Sequence, residues 1–266
     1  MPLSLSPDQA SFEPPYVKGQ GGFALPFAEQ IAFFRGKQGL MIPTEHWDDV
    51  KNAAHDTGFM VAGAAKADLL TDFYNAVEKA ISDGKSLNWF QSQFDTIVAT
   101  HGWDYTGARD WRSRVIYSTN LSTSYAAGRW EQLKHPDLIK LRPCWEYVHS
   151  DLSVHPRKWH QAWNGLVLPN DDPWWDSHYP PNGFGCRCRV RAVRTPKDGV
   201  DTAPDNGTYD HVDKKTGEVE TLPVGVDYGF GYAPGQSLGK SNFIQDKLAT
   251  WPKQIGKDFK ADMKGQ

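Results

Sequence analysis

The chain has 266 residues and a formal net charge of −3, with a pI of about 6.3. No global field therefore draws it towards nucleic acid or anionic lipid, and any DNA contact must be local. The length suffices for a sizeable core, and one compact domain with irregular ends is the expectation. Hydrophobic residues make up 39% and charged residues 23%, as in ordinary soluble domains, whereas 13% aromatic with eleven Trp is high. Aromatic packing should dominate the core. The stretch MPLSLSPDQASFEPPY has no basic region followed by an apolar run, which argues against a secretory signal, and no segment approaches the length of a membrane span. Three cysteines, Cys144, Cys186 and Cys188, make no disulfide framework and suit a reducing cytoplasm.

The first 25 residues, with Pro-Pro at 14 and 15 and a Gly-rich run from Gly19 to Gly22, read as an extended arm that orders only on another surface. Helical periodicity starts at Pro26, where Phe27, Ile31 and Phe34 recur at i, i+4 and i+7, and stops near Gly36. Thr44 is placed to cap a short helix running to about His55, and GFMVAGAA at 58–65 reads as a loop or short extended piece. Over 66–82 the spacing of Leu70, Phe73, Val77 and Ile81 predicts a helix with one apolar stripe, stopped before Gly84. Ser86 caps the next, in which Leu87, Phe90, Phe94 and Ile97 share a face and Gly102 supplies the stop. A long helix is predicted from about Thr106 to Leu133, ahead of Pro136. Its polar middle, Ser118 to Ser124, has weak propensity and needs neighbours that satisfy its hydroxyls.

Beyond Pro143 the pattern changes to short strand-like runs, CWEYVHS, NGLVLP and CRCRVRAV, separated by Pro, Gly, Asn and Asp. Helices first and strands after predict an α+β fold. Four parts are expected: the arm over 1–25, a helical part over 26–140, a Trp-rich strand and loop module over 141–198, and an irregular tail over 199–266. Turn signals mark the tail at 205–207 and 214–217, and a terminal helix from 242 to about 264 is interrupted at Pro252.

Residues 145–194 hold five of the eleven Trp and four of the nine His. Within them the order Asp151, Pro156, His160, Gly165, then DDPWW at 171–175 and HYPPNGFGCRCRV at 178–190, resembles the signature block of the phage Mu F-like family, which includes the SPP1-type head morphogenesis proteins. PFAEQIAFFRGK at 26–37, TGFMVAG at 57–63 and VGVDYGFGYAPG at 224–235 also look like members from Mu-like phages. Two departures stand out: the chain is two residues longer than many relatives between Pro156 and His160, and Asn120 stands where many carry Glu. The resemblance implies a minor head protein acting in capsid assembly, in few copies, inside the head near the portal vertex and in the host cytoplasm during assembly. Its implied partners are portal, major capsid or scaffold proteins and packaged double-stranded DNA, with no membrane.

The residues of the block carry their own chemistry. If CRCRVR is a strand, Cys186, Cys188 and Val190 share one face, and Arg187, Arg189 and Arg191 the other. The thiol side, approached by His160 or His178, is a candidate Cys/His zinc site of the structural type; the alternative is that two small thiols pack beneath Trp174 or Trp175 and no cofactor is held. The arginine side, continued by Arg194 and Lys197, is a candidate contact for DNA phosphates or a partner protein, set against pairing with acids such as Asp171, Asp172 and Asp176. An enzymatic alternative reads His149, Asp151, His155, His160, Asp171 and Asp172 as a divalent-metal nuclease centre, although no H-E-x-x-H, G-x-S-x-G or Walker pattern occurs. The same five tryptophans could offer an exposed stacking platform, against the simpler expectation that they fill the core of a small sheet. The expectation is a structural protein, not an enzyme.

Overall fold

A computed structural model of the chain describes residues 27–50, 52–151, 156–213 and 216–237. The arm predicted over 1–25, the terminal helix predicted over 242–264 and His155 lie outside the described residues. The fold is α+β, with helices in the N-terminal half and short strands after them.

Helix α1 (Ala28–Arg35) is followed by α2 (Ala67–Ser82), α3 (Leu87–His101), α4 (Arg109–Leu133) and α5 (Pro136–Leu141). On α2 the predicted stripe is turned inward, with Leu70, Phe73 and Val77 fully buried and Ile81 half-buried against them. The Ser86 hydroxyl accepts the Trp89 N–H at 3.4 Å, and Gly102 ends α3 in the left-handed conformation. Leu87, Phe90, Phe94 and Ile97 of α3 close a first core with Ile116, Tyr117 and Leu121 of α4.

The polar middle of α4 meets its hydrogen-bond needs largely within the helix. Ser118 donates to the Arg114 carbonyl at 2.7 Å, Thr123 to that of Thr119 at 2.8 Å and the Asn120 amide to that of Ile116 at 2.9 Å. From α1, the Gln30 amide reaches across to Ser124 Oγ at 3.0 Å and the Leu121 carbonyl at 3.3 Å. This contact needs Gly128: a Cβ there would stand 2.6 Å from the Gln30 backbone nitrogen.

Between α1 and α2 the helix predicted after Thr44 is replaced by turns and a short 3-10 segment, Asn52–Asp56. The Asp49 carboxylate accepts the N–H groups of Glu45 and His46 at 2.7 Å, and Thr44 donates to the Val61 carbonyl at 3.2 Å. These side-chain bonds hold local turns in place of a helical first turn.

The predicted strand runs form one antiparallel sheet in the order β2-β1-β3, with β1 (Cys144–Val148) in the centre, β2 (Val167–Pro169) and β3 (Arg189–Val193). Two short helices, α6 (Lys158–Ala162) and α7 (Trp175–His178), lie in the connections. The stretch expected to be irregular contains a hairpin, β4 (Thr208–Val212) and β5 (Val219–Pro223). Most side chains of β4 are exposed and only Leu222 of β5 is buried, so neither strand shows the apolar alternation by which a strand is recognised in sequence. After the hairpin the chain re-enters the core through Val226, Phe230 and Ala233. Asp56 then anchors it by accepting the Gly235 N–H at 2.9 Å and the Ser237 hydroxyl at 2.7 Å.

Gly128→Val should lower the unfolding free energy by about 2–3 kcal/mol, since the overpacking of α1 against α4 outweighs the small gain in helix propensity. Urea unfolding monitored by Trp fluorescence would show it as a shifted midpoint; an unchanged midpoint would mean that α1 does not pack on α4 at this glycine.

Candidate functional site

The signature block is built around tryptophan. Trp145, Trp163 and Trp175 are almost wholly buried, with Tyr147 and Tyr179 between them and Trp130 contributed by α4. Trp145 meets Trp130, Trp175 and Tyr179, and Trp163 meets Tyr147 and Trp174, at centroid separations of 5.2–5.8 Å. Of the five tryptophans read as a platform or a core, Trp145, Trp163, Trp174 and Trp175 are buried, and Trp159 is half-exposed with the Lys158 ammonium over its ring. They form a core.

His160 lies in this core on α6, stacked on Trp163 at 5.3 Å and 2% exposed. Its Nε2 is 2.8 Å from the Gly225 carbonyl, so Nε2 carries the proton and donates it. Nδ1 is thereby left as an acceptor, 3.7 Å from both Cys186 Sγ and Cys188 Sγ. Gly225 can make this approach because it lies at φ +100°, and a Cβ there would stand 2.5 Å from the Trp163 ring. The three donor atoms of His160, Cys186 and Cys188 lie within 4.8 Å of one another.

The two thiols differ. Cys186 donates to Cys188, which together with burial pushes Cys186 upward. That same bond holds Cys188 down to about 7, helped by Tyr147, the Ser150 N–H and the charge of Arg157, against burial. This asymmetry makes Cys188 the natural thiolate of the pair.

His178 is not brought to the thiols. Its ring stacks on Trp174 at 4.2 Å, and its Nδ1 lies 3.0 Å from the Trp174 carbonyl and 2.9 Å from Ser177 Oγ. His149, read in the sequence only as a nuclease candidate, stands there instead, with Nδ1 3.5 Å from Cys188 Sγ. Val148 pairs with Arg189 across the antiparallel ladder, so the next residue on β1 falls opposite the one preceding β3. That register was the signal for His149, and it is invisible until β1 and β3 are known to pair.

The carboxylates of the nuclease reading do not join this cluster. Asp172 accepts the Trp174 N–H at 2.9 Å, and Asp171 and Asp151 are exposed. Among the described residues the group fit to hold a metal contains thiols and imidazole alone.

The arginine alternation holds for β3, where Arg189 and Arg191 are exposed while Val190 and Ala192 are buried. Arg191 is paired with Glu146 on β1, at 2.7 and 2.8 Å in a two-bonded fork. Glu146, and not the aspartates at 171, 172 and 176, is the acid that meets this face. Arg187 departs from the expectation: it precedes the strand, is half-buried, and lies close enough to Arg114 of α4 that their charges oppose one another. Arg189, Arg194 and Lys197 are exposed and have no ion-pair partner among the described residues.

A helical half joined to a Trp-packed sheet, with a Cys/His cluster at the sheet's end and an arginine edge outside it, is the class of module that the signature block defines. The chain is similar to the family described as Phage Mu protein F like protein, whose model matches residues 71–191. Over 183 residues it is 34% identical to protein F of Escherichia phage Mu, whose name ties it to capsid assembly; the match covers 64% of this chain and 40% of that one. The F protein of the Mu-like prophage FluMu of Haemophilus influenzae is 31% identical over 230 residues, covering 80% of this chain and 53% of that one. The chain thus spans about half the length of the curated relatives it matches. No solved structure matches it.

Burial holds the imidazole of His178 down to about 4, against the ordinary 6.5. The unfolded chain therefore takes up this proton first, and the stability His178 contributes above pH 6.5 is lost as pH falls from 6.5 to about 4. The loss should be about 3 kcal/mol between pH 7 and pH 4, and His178→Asn should flatten that part of the profile. His55, also held down to about 4, keeps its own contribution in both proteins. Urea unfolding at pH 7, 5 and 4 is the check, and equal slopes for the two proteins would refute the assignment.

Proposed function

We propose that this chain is a structural component of head assembly in a Mu-like tailed phage, working inside the capsid near the portal vertex, and that it is not an enzyme. The observation carrying this reading is the likeness of the chain, across its signature block, to a phage protein named for capsid assembly. Three features of the molecule agree with it. His160 and His178 stack on Trp163 and Trp174, and no carboxylate joins the Cys/His cluster among the described residues. No described helix is long and apolar enough to cross a membrane. The exposed Arg189, Arg194 and Lys197 offer a local basic edge on a chain of net charge −3.

Portal, major capsid or scaffold proteins are the partners this edge would meet, through acidic surfaces. Packaged double-stranded DNA is the second partner, favoured by the same cations: three of them on phosphates would give a binding constant that falls with salt with a log–log slope of roughly −3.

Fractionation of procapsids and virions, probed for this chain, should find it in one or both particles. Arg189→Ala with Arg194→Ala should leave the unfolding midpoint within about 0.5 kcal/mol of the parent, as expected for exposed positions, while lowering incorporation into heads. Absence from both particles would overturn the assembly reading. Salt-sensitive duplex binding by the purified parent, lost in the double variant, would make DNA the primary contact of this edge.

A further inference from the structure

Three nitrogen and sulfur donors, from His160, Cys186 and Cys188, lie within 4.8 Å of one another where β1 ends and β3 begins, and a fourth, His149, touches the group at Cys188. His160 Nδ1 is 3.7 Å from each thiol sulfur, and His149 Nδ1 is 3.5 Å from Cys188 Sγ. In a tetrahedral site with Zn–S of about 2.3 Å and Zn–N of about 2.0 Å, neighbouring sulfur and nitrogen ligands stand about 3.5 Å apart. These three nitrogen–sulfur separations are close to that edge length. A thiol–imidazole hydrogen bond has a comparable length, so the spacing alone does not decide between the two. The decisive feature is the arrangement of His160. Its proton is committed to the Gly225 carbonyl, and its single remaining lone pair faces two sulfurs at once. A metal-ligating histidine is held in the same way, one nitrogen donating to a backbone carbonyl and the other free for the ion.

We propose that Cys186, Cys188, His160 and His149 form a four-coordinate structural zinc site. Two thiolates with two imidazoles and no carboxylate suit zinc over magnesium, calcium or manganese, which prefer oxygen. Four protein ligands leave no position for a reacting water, so the site is of the closed, structural kind. The Ser150 N–H, which bonds to the Cys188 sulfur, supplies an outer-shell donor for a thiolate. The buried Nε2 of His149 has no hydrogen-bond partner among the described residues, so no hydrogen bond at that nitrogen opposes the turn of the ring needed to bring it onto the cluster. The ion would tie together the end of β1, the start of β3 and the α6 connection, and through Gly225 the returning tail. This inference stands apart from the head-assembly reading, because its readout is the purified chain and not the particle.

The experiment is elemental analysis of the full chain expressed with zinc in the medium, with cobalt(II) titration of the metal-stripped protein. One zinc per chain and intense absorption of tetrahedral, thiolate-bound cobalt are expected. His149→Asn should weaken zinc binding by on the order of 100-fold and reduce the tetrahedral cobalt bands, whereas His178→Asn should leave both unchanged. A parent chain with no zinc and no tetrahedral cobalt spectrum would overturn the site, whatever the variants do. Unchanged affinity in His149→Asn, or a loss in His178→Asn equal to that expected of His149→Asn, would overturn this set of ligands.

Discussion

Helix α4 passes through two hydrophobic cores, and the rest of the fold depends on its doing so. At 25 residues it is about 37 Å long, enough to serve both. Its first half gives Ile116, Tyr117 and Leu121 to the core shared with α2 and α3. Its second half gives Ala126, Trp130 and Leu133 to the tryptophan core beneath the sheet. The sheet could not stand without it, because three strands, one of them only three residues long, bury too little by themselves. Lys134, just past the helix end, continues the connection: its ammonium lies over Trp130 and Trp145 and donates to the Asn170 carbonyl at 2.7 Å. The weak propensity of Ser118 to Ser124 is therefore tolerated because both ends of the helix are held by packing, while the hydroxyls in between bond back to its own carbonyls.

The tryptophan core tolerates costs that a smaller side chain could not. The indole N–H groups of Trp145, Trp163 and Trp174 are buried without a hydrogen-bond partner among the described residues, whereas Trp175 donates to the Pro169 carbonyl at 2.9 Å. An unpaired buried donor costs about 1–3 kcal/mol. Burying an indole of about 200 Å² at about 25 cal/mol per Å² contributes about 5 kcal/mol. The area term wins at each position, which explains how a module with few aliphatic residues can be stable on rings. The same rings act on the electrostatics of the block, since desolvation among them pushes His178 down and adds to the Cys188 hydrogen bond in pushing the Cys186 thiol up.

Much of the helical half was legible in the sequence because local chemistry decides it. The stripe of Leu70, Phe73 and Val77, the Ser86 cap and the Gly102 stop each act within a few residues of themselves. The three strand runs of the block and the exposed alternation of Arg189 and Arg191 were equally readable. Less accessible were features set by pairing distant segments. Thr44 has the composition of a helix cap, yet its hydroxyl is taken by Val61, seventeen residues on. Arg187 fits an outward alternation, but the three residues before β3 are not strand, so period-two logic does not extend to it. His178 and His149 exchange places for the same reason: a choice between histidines depends on the register of β1 against β3, which no local pattern encodes.

The tail shows most clearly how distance along the chain hides structure. Its Gly, Pro and Asp content reads as irregular, yet glycines on both sides, Gly225 of the tail and Gly183 of the block, are what let it return to the signature block. At Gly183 a Cβ would stand 2.1 Å from an Asp227 carboxylate oxygen, the same oxygen that bonds Arg157 at 2.6 Å. The Asp227 N–H also donates to the Asn182 carbonyl at 3.0 Å, and Asn182 in turn accepts the Tyr147 hydroxyl at 2.9 Å. From β1, through the loop before Cys186, to the segment after β5, there is thus one continuous run of hydrogen bonds. Gly225 adds the bond that fixes the His160 tautomer. The described part of the tail is therefore a wall of the block, and the cysteine–histidine cluster is shaped as much by residues 225–227 as by the signature that first draws attention to it.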